Sequence, residues 1–465
     1  MPLHANKSPD TIVALSTPPG YSGIGVIRMS GPDSRAILER VFQPAGMRRG
    51  MRNRKGLYGK VVDPESGTVL DDGIALVMEG PGSYTGEDVV ELSLHGSPVV
   101  LDTVLQILVR QGARPATRGE FTRRAFLAGK LDLVQAEAVI DLIEAPGPLA
   151  AQEARARLDR SLSERIEEVS ATLKDIVARL EAHIDFDEDD EHAAPDPEPD
   201  VRLVFEHMRE LLELGDLGRV RREGIRTVVA GKPNVGKSTL FNALLGADRA
   251  IVTPFAGTTR DTVHERLILG GATVNLCDTA GIRENPDPIE IEGIRRTEAQ
   301  IAAADLVLVV LDGSSVPDRE DAAVLTRCKG RRVMTVFNKI DLGAVPESMF
   351  RDIVSADAPQ VGVSAMTGDG LDALRRTLAQ TVQSITSPAP DPPSGGLNRR
   401  CLLLMEAAMI PIGQLLEDFA RDAVIAPEIA SLELRRAIGP LSEITGERVD
   451  DGILDRIFER FCVGK

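Results

Sequence analysis

The chain has 465 residues, 43% of them hydrophobic and 27% charged, with a formal net charge of −17 at pH 7. That make-up belongs to a soluble globular protein of roughly two to four domains. Its acidity excludes broad electrostatic adhesion to nucleic acid, so any RNA contact has to be local.

From Met1 to Gly20 there is no apolar signal-peptide core, and no later stretch is long and apolar enough to span a membrane. A cytoplasmic protein without membrane attachment is expected. Cys277, Cys328, Cys401 and Cys462 lie far apart without metal-ligand spacing, and disulfides are not expected. Cys462 stands where a prenylation box would place it, but Gly464 is not aliphatic and Lys465 is a poor terminal residue for that signal. A small buried thiol without a catalytic role is expected there. Two basic clusters, Arg48, Arg49, Arg52, Arg54 and Lys55, and Arg219, Arg221 and Arg222, read as solvated faces.

To about Arg118, short apolar runs (Thr11–Leu15, Gly25–Met29, Gly73–Met78, Val89–Leu94) alternate with turns such as Pro18-Pro19-Gly20 and Gly80-Pro81-Gly82. This is an α+β pattern with several strands. From about Glu120 the period becomes helical. Leu158, Leu162, Ile166, Val169, Leu173, Ile176, Leu180 and Ile184 recur three or four apart, which predicts one long amphipathic helix. The acidic run Asp185–Glu191 then reads as a solvated loop rather than a metal site.

Between about Arg221 and Gln383 the pattern is βα. Ile225–Ala230, Val274–Cys277, Leu306–Leu311 and Val333–Phe337 read as buried parallel strands. A Pro/Gly/Ser linker, Ser387–Gly396, follows, and Leu397 to Lys465 is helical again. The economical organisation is an α+β domain over 1–118, a helical domain over 119–220 that resumes with the linker over 384–465, and a nucleotide domain over 221–383 inserted into it.

Gly231-Lys232-Pro233-Asn234-Val235-Gly236-Lys237-Ser238 fits the phosphate-loop pattern G-x-x-x-x-G-K-[ST], after a strand and before a helix that opens at Thr239. Backbone amides there wrap phosphates, Lys237 reaches the β/γ oxygens, and the Ser238 hydroxyl suits Mg²⁺. Asp278-Thr279-Ala280-Gly281 ends the next strand. Asp278 can orient the Mg²⁺ shell, and the Gly281 amide can meet a γ-phosphate. Asn338-Lys339-Ile340-Asp341 ends another strand. Asp341 can accept both N1–H and N2–H of guanine, a pair that adenine lacks. Ser364-Ala365-Met366 can hold the base through its backbone. Four motifs in order, each at a strand end, specify a GTP-binding and GTP-hydrolysing domain.

Between the first two motifs lies Thr253-Pro254-Phe255-Ala256-Gly257-Thr258-Thr259-Arg260-Asp261. With its Gly-Thr-Thr-Arg-Asp it resembles the first switch loop of the TrmE-Era-EngA-like GTPases, and Thr259 is the expected Mg²⁺-binding threonine. Ile282 occupies the place where Ras-like enzymes carry the water-orienting glutamine. Charge stabilisation must then come from elsewhere. Asn234 can offer an oxygen to a K⁺ ion beside the β/γ bridge, or it can simply brace the loop.

The ends of the chain narrow the resemblance. Thr17-Pro18-Pro19-Gly20, Tyr84-Thr85-Gly86-Glu87-Asp88, Gly119-Glu120-Phe121, Ala128-Gly129-Lys130-Leu131-Asp132 and the terminal Phe461-Cys462-Val463-Gly464-Lys465 are similar to the MnmE (TrmE) family of bacterial tRNA-modification GTPases, over essentially the whole chain. The resemblance implies a multidomain fold: a folate-binding-like α+β N-terminal domain, an all-α central domain split in sequence, and an inserted Ras-like α/β P-loop GTPase domain. It implies a homodimer through the N-terminal domains and a flavoprotein partner, MnmG (GidA), which uses FAD and NADH. Together they place a carboxymethylaminomethyl or aminomethyl group on C5 of the tRNA wobble uridine, with the carbon from a tetrahydrofolate derivative such as 5-formyltetrahydrofolate.

By the same resemblance Arg28, Glu91, Lys130 and Lys465 form the folate pocket. Asn234, Thr253, Phe255 and Thr258 form the K⁺ site, and Glu290 positions water, with Glu292 or Glu284 as alternative registers. Two other readings fit the GTPase motifs: a GTP-switched ribosome-assembly factor, which leaves both chain ends unexplained, and a folate-dependent enzyme whose GTPase domain only regulates.

Overall fold

The computed structural model describes residues 10–45, 52–186, 196–246, 264–278, 298–355, 357–386, 395–421 and 425–465. It divides into two compact units. One comprises Met1–Ile140, Leu158–Phe205 and Leu404–Lys465, the other Asp141–Arg157 and Glu206–Leu403.

The first unit is built on a seven-stranded sheet: β1 (Ile12–Leu15), β2 (Ser22–Ser30), β3 (Phe42–Pro44), β4 (Leu57–Val62), β5 (Val69–Met78), β6 (Val89–Gly96) and β7 (Arg114–Pro115), in the order β3-β4-β5-β6-β2-β1-β7. Period-two alternation sorts its residues onto two faces. Ile27 and Met29 of β2, Leu92 and Leu94 of β6 and Ala75 and Val77 of β5 point inward. There they form one core with Ile37, Leu38 and Val41 of helix Ser34–Val41 and Val104, Ile107 and Leu108 of helix Pro98–Arg110. The outward positions carry Arg28 directly across from Glu91, and beside them a row in register, Val26, Ser93, Ile74 and Tyr58. Ile74 and Tyr58 in that row are exposed.

In the same unit, the anticipated apolar stripe folds as helix Ser161–Phe186, with Leu162, Ile166, Val169, Leu173, Ile176 and Leu180 buried. It packs on helix Pro427–Thr445, whose Leu434, Ala437, Leu441 and Ile444 are fully buried. Leu158 does not belong to that helix. It ends helix Pro148–Leu158, and Arg160 at φ +66° separates the two, since a left-handed residue cannot continue a right-handed helix.

The chain terminus is built into the first unit. Phe461 is buried against Phe458, ring centroids 5.5 Å apart, in a cluster with Leu133, Ile140 and Leu454. Arg118 and Val463 form a β-bridge, and Ser16 Oγ donates to Gly464 O at 3.2 Å. Gly464 sits at φ +97°, where an added Cβ would lie 2.4 Å from Leu15 O, so only glycine allows this approach. Cys462 corrects the expectation of a buried thiol: Phe461 takes the inward position, and the next residue faces solvent.

The second unit holds a six-stranded sheet: β8 (Ile225–Ala230), β9 (His264–Leu269), β10 (Ala272–Asp278), β11 (Leu306–Asp312), β12 (Val333–Asn338) and β13 (Gln360–Gly362), in the order β13-β12-β11-β8-β10-β9. All neighbours are parallel except β9, which pairs antiparallel with β10. The β-branched runs of β8, β11 and β12 are buried on both faces, as a parallel sheet covered on both sides requires. The expectation of a solvated face fails at Arg221. Its guanidinium is buried, paired with Glu153, and donates through Nε to Thr386 O at 2.9 Å. Arg219 pairs with Asp305 and Arg222 with Glu223. Arg52, Arg54 and Lys55 are exposed, whereas Arg48 and Arg49 lie outside the described residues. No described helix is long and apolar enough to cross a membrane.

Candidate nucleotide and C-terminal sites

The nucleotide motifs meet at the carboxyl ends of the parallel strands, where an open α/β sheet places ligands. Strand β8 runs into Gly231–Gly236, and helix Lys237–Leu245 starts directly after, so its free amides and dipole face the loop. Gly231, Asn234 and Gly236 all have positive φ, at +157°, +64° and +93°. An added Cβ on Gly236 would lie 2.2 Å from Asn338 Nδ2, so the glycine is needed for contact as well as for φ.

Asn338, buried at the end of β12, ties three motifs together. Its Nδ2 donates to Val235 O at 2.8 Å, and its Oδ1 accepts from Ala365 N at 2.9 Å. Lys339, at φ +65°, donates to Asp312 Oδ2 at 2.7 Å and so fixes the turn that presents Asp341, which is exposed in the 3-10 turn Ile340–Leu342. Ser364 is buried, its Oγ accepting from Thr367 N at 3.1 Å, and Met366 is exposed beside it. The Lys237 ammonium donates to Lys232 O at 2.8 Å. Ser238 and Thr239 follow, exposed on the first turn, where the Ser238 hydroxyl suits a hard cation. The Asn234 side chain is exposed and takes no hydrogen-bond partner among the described residues.

The end of β10, next to β8, carries the Asp278 backbone. Its side chain lies outside the described residues, as do Thr253, Phe255, Thr258, Thr259, Thr279, Ala280, Gly281, Ile282, Glu284, Glu290 and Glu292.

Sequence reasoning did not find the side-chain partners of Lys232. Its Nζ lies 2.8 Å from both Asp318 Oδ2 and Asp321 Oδ2. Burial alone lowers its pKa, but the hydrogen bonds to Asp318 and Asp321 outweigh burial and hold it above the usual lysine value. Asp318 is held down to about 2 by the hydrogen bond from Lys232, assisted by the Asp321 amide. The available signal was the D-x-x-D spacing of a capping box before helix Arg319–Arg327.

A second cluster lies on the outward face of the first unit's sheet. Arg28 Nε and Nη2 donate to Glu91 Oε1 at 2.9 and 2.6 Å, and Nη1 lies 3.4 Å from Gly464 O. The guanidinium carbon stands 6.0 Å from the Tyr84 ring centre and 5.8 Å from that of Phe121, aromatics of the family motifs that were not assigned to the pocket. Burial holds the Lys465 ammonium below its ordinary pKa and the Arg28 charge adds to this, while Glu91 pulls the other way. Arg28, Glu91 and Lys465 therefore come together. Lys130 is exposed and donates to Pro81 O at 2.8 Å, holding the loop that carries Tyr84. The donor set of the cluster, one carboxylate with two cations beside aromatic rings, fits a flat heterocycle bearing N–H groups and carboxylates.

Residues 11–130 match the family model described as GTP-binding protein TrmE N-terminus, and residues 133–462 match that described as MnmE helical domain. Among curated relatives, the tRNA modification GTPase MnmE of Syntrophotalea carbinolica is 40% identical over 474 residues, covering 98% of this chain and 99% of that protein. Those of Roseiflexus castenholzii and Geobacter sulfurreducens are each 42% identical with the same coverage.

Proposed function

This chain belongs to the MnmE family of tRNA modification GTPases, and from that premise we propose that it is a K⁺-activated GTPase that works as a homodimer with an FAD-dependent partner, MnmG, to modify C5 of the tRNA wobble uridine. The observation that carries the finer reading is the C-terminal Gly464-Lys465 held against the Arg28–Glu91 pair. A ribosome-assembly switch has no use for such a cluster. Glu91 accepts pterin N–H groups, Arg28 and Lys465 face carbonyl or carboxylate oxygens, and Lys130 shapes the rim through Pro81. A tetrahydrofolate bound there supplies the one-carbon unit. The exposed row of Ile74 and Tyr58 beside this cluster supports dimerisation through the N-terminal sheet, which would hide apolar surface.

In the GTPase domain, Lys237 neutralises phosphate charge and Ser238 with Thr259 holds Mg²⁺. Asn234, with Thr253, Phe255 and Thr258, would hold K⁺, which would supply the positive charge that an arginine finger gives elsewhere. Glu290 orients water, because Ile282 has no polar group to do so. Nucleotide turnover drives a conformational step coupled to the modification chemistry rather than part of it. The test is GTP turnover in K⁺ and in Na⁺ at matched ionic strength. K⁺ is expected to raise kcat by about tenfold or more, on the order of one lost transition-state donor. Equal turnover in both salts contradicts the K⁺ assignment.

A further inference from the structure

Gly231–Ser238 is a loop with three positive-φ residues, and such a backbone persists only where its surroundings fix it. Asn338 fixes its C-terminal half through Val235 O. The N-terminal half is fixed from a different direction. Lys232 Nζ bridges Asp318 Oδ2 and Asp321 Oδ2, each at 2.8 Å. These carboxylates are themselves held by backbone amides. Asp318 Oδ1 accepts from the amides of Glu320 and Asp321, and Asp321 Oδ2 accepts in return from Asp318 N at 3.1 Å, which closes a capping box on helix Arg319–Arg327. Asp321 is 3% exposed, and its Oδ1 is buried without a hydrogen-bond partner among the described residues, so Lys232 supplies the cation this carboxylate faces. The same Lys232 presents its carbonyl to the Lys237 ammonium at 2.8 Å.

We propose that Lys232 is a positioning residue for nucleotide binding: its ion pairs with Asp318 and Asp321 fix the carbonyl that aims Lys237 at the phosphates. A lysine ammonium has three donors on a flexible stem. A hydrogen bond to a fixed carbonyl gives that ammonium a defined direction. The inference rests on reading Gly231–Ser238 as the phosphate loop and extends it to a helix cap that no nucleotide motif includes.

The test uses the full chain and a fluorescent GDP analogue in equilibrium titration, with melting temperature without nucleotide as the second readout. Lys232→Met is expected to weaken GDP binding by about tenfold or more, the scale of a charge-assisted hydrogen bond. Lys232→Arg, which keeps the cation, is expected to restore most of the affinity. Lys232→Met combined with Asp321→Asn removes the orphaned carboxylate charge while keeping an acceptor for Asp318 N. Its melting temperature is expected to recover while its affinity stays as weak as that of Lys232→Met. If the double variant binds GDP like the unaltered protein, the latch is only structural and the proposal is overturned. Wild-type affinity in Lys232→Met overturns it equally. Failure of the unaltered protein to bind GDP overturns the phosphate-loop reading itself, and the latch with it.

Discussion

An Asp341→Asn variant is expected to lose GTP turnover and to gain turnover of xanthosine triphosphate. The turn Ile340–Leu342 leaves the Asp341 side chain exposed, while Lys339 bonded to Asp312, and Asn338 bonded to Val235 and Ala365, hold its backbone. A carboxylate there presents two acceptors to guanine N1–H and N2–H. An amide turns one acceptor into a donor that faces the N2 donor, whereas xanthine has an oxygen at that position. Sites that read a hydrogen-bonding group reject the mismatched partner by a factor on the order of 10³ or more in kcat/KM. Turnover of both nucleotides by the variant, measured side by side, checks this. A variant that still prefers GTP places base recognition away from Asp341.

The second large effect concerns the C-terminal cluster. Deleting Lys465, or replacing Arg28 by Met together with Glu91 by Gln, is expected to weaken 5-formyltetrahydrofolate binding by about a hundredfold, the scale of one or two charged hydrogen bonds in a half-buried site. The paired replacement matters because Arg28 alone would leave Glu91 without the partner now 2.6 Å away. Calorimetric titration of the folate reads the effect, with the melting temperature as the control for folding. Undiminished binding by the Lys465 deletion would remove the terminal lysine from the pocket. Undiminished binding by the Arg28 and Glu91 variant would move the folate elsewhere.

What could be read from the sequence is local. The phosphate loop and Asn338-Lys339-Ile340-Asp341 each combine a buried β-branched run with a turn whose chemistry is written in adjacent residues, and Ser364-Ala365-Met366 follows them in chain order after a short strand. The helix stripe from Leu162 to Leu180 was equally legible, because one face repeats every three or four residues. Strand β9 was not anticipated, although its signal exists. Gly270 and Gly271, both at positive φ, join His264–Leu269 to Ala272–Asp278 as a two-residue hairpin.

The partners of Lys232 and Arg221 lie far away in sequence, and charge clusters alone read as solvated. Arg221 shows why that default fails: its buried guanidinium is met by a carboxylate and a carbonyl, Glu153 and Thr386, that tertiary folding brings together. Cys462 was misread for the converse reason, since which of two adjacent residues faces inward depends on the Arg118–Val463 bridge.

The central claim, a GTPase whose turnover is coupled to wobble-uridine modification, is tested most directly by mass spectrometry of tRNA nucleosides. The source cells are the strain lacking this protein, complemented with the natural chain or with its Lys237→Ala variant. The expected result is that C5-aminomethyl-type wobble uridines vanish in the deletion strain and return only with the natural chain. Unchanged nucleosides in the deletion strain, or equal rescue by Lys237→Ala, would contradict it.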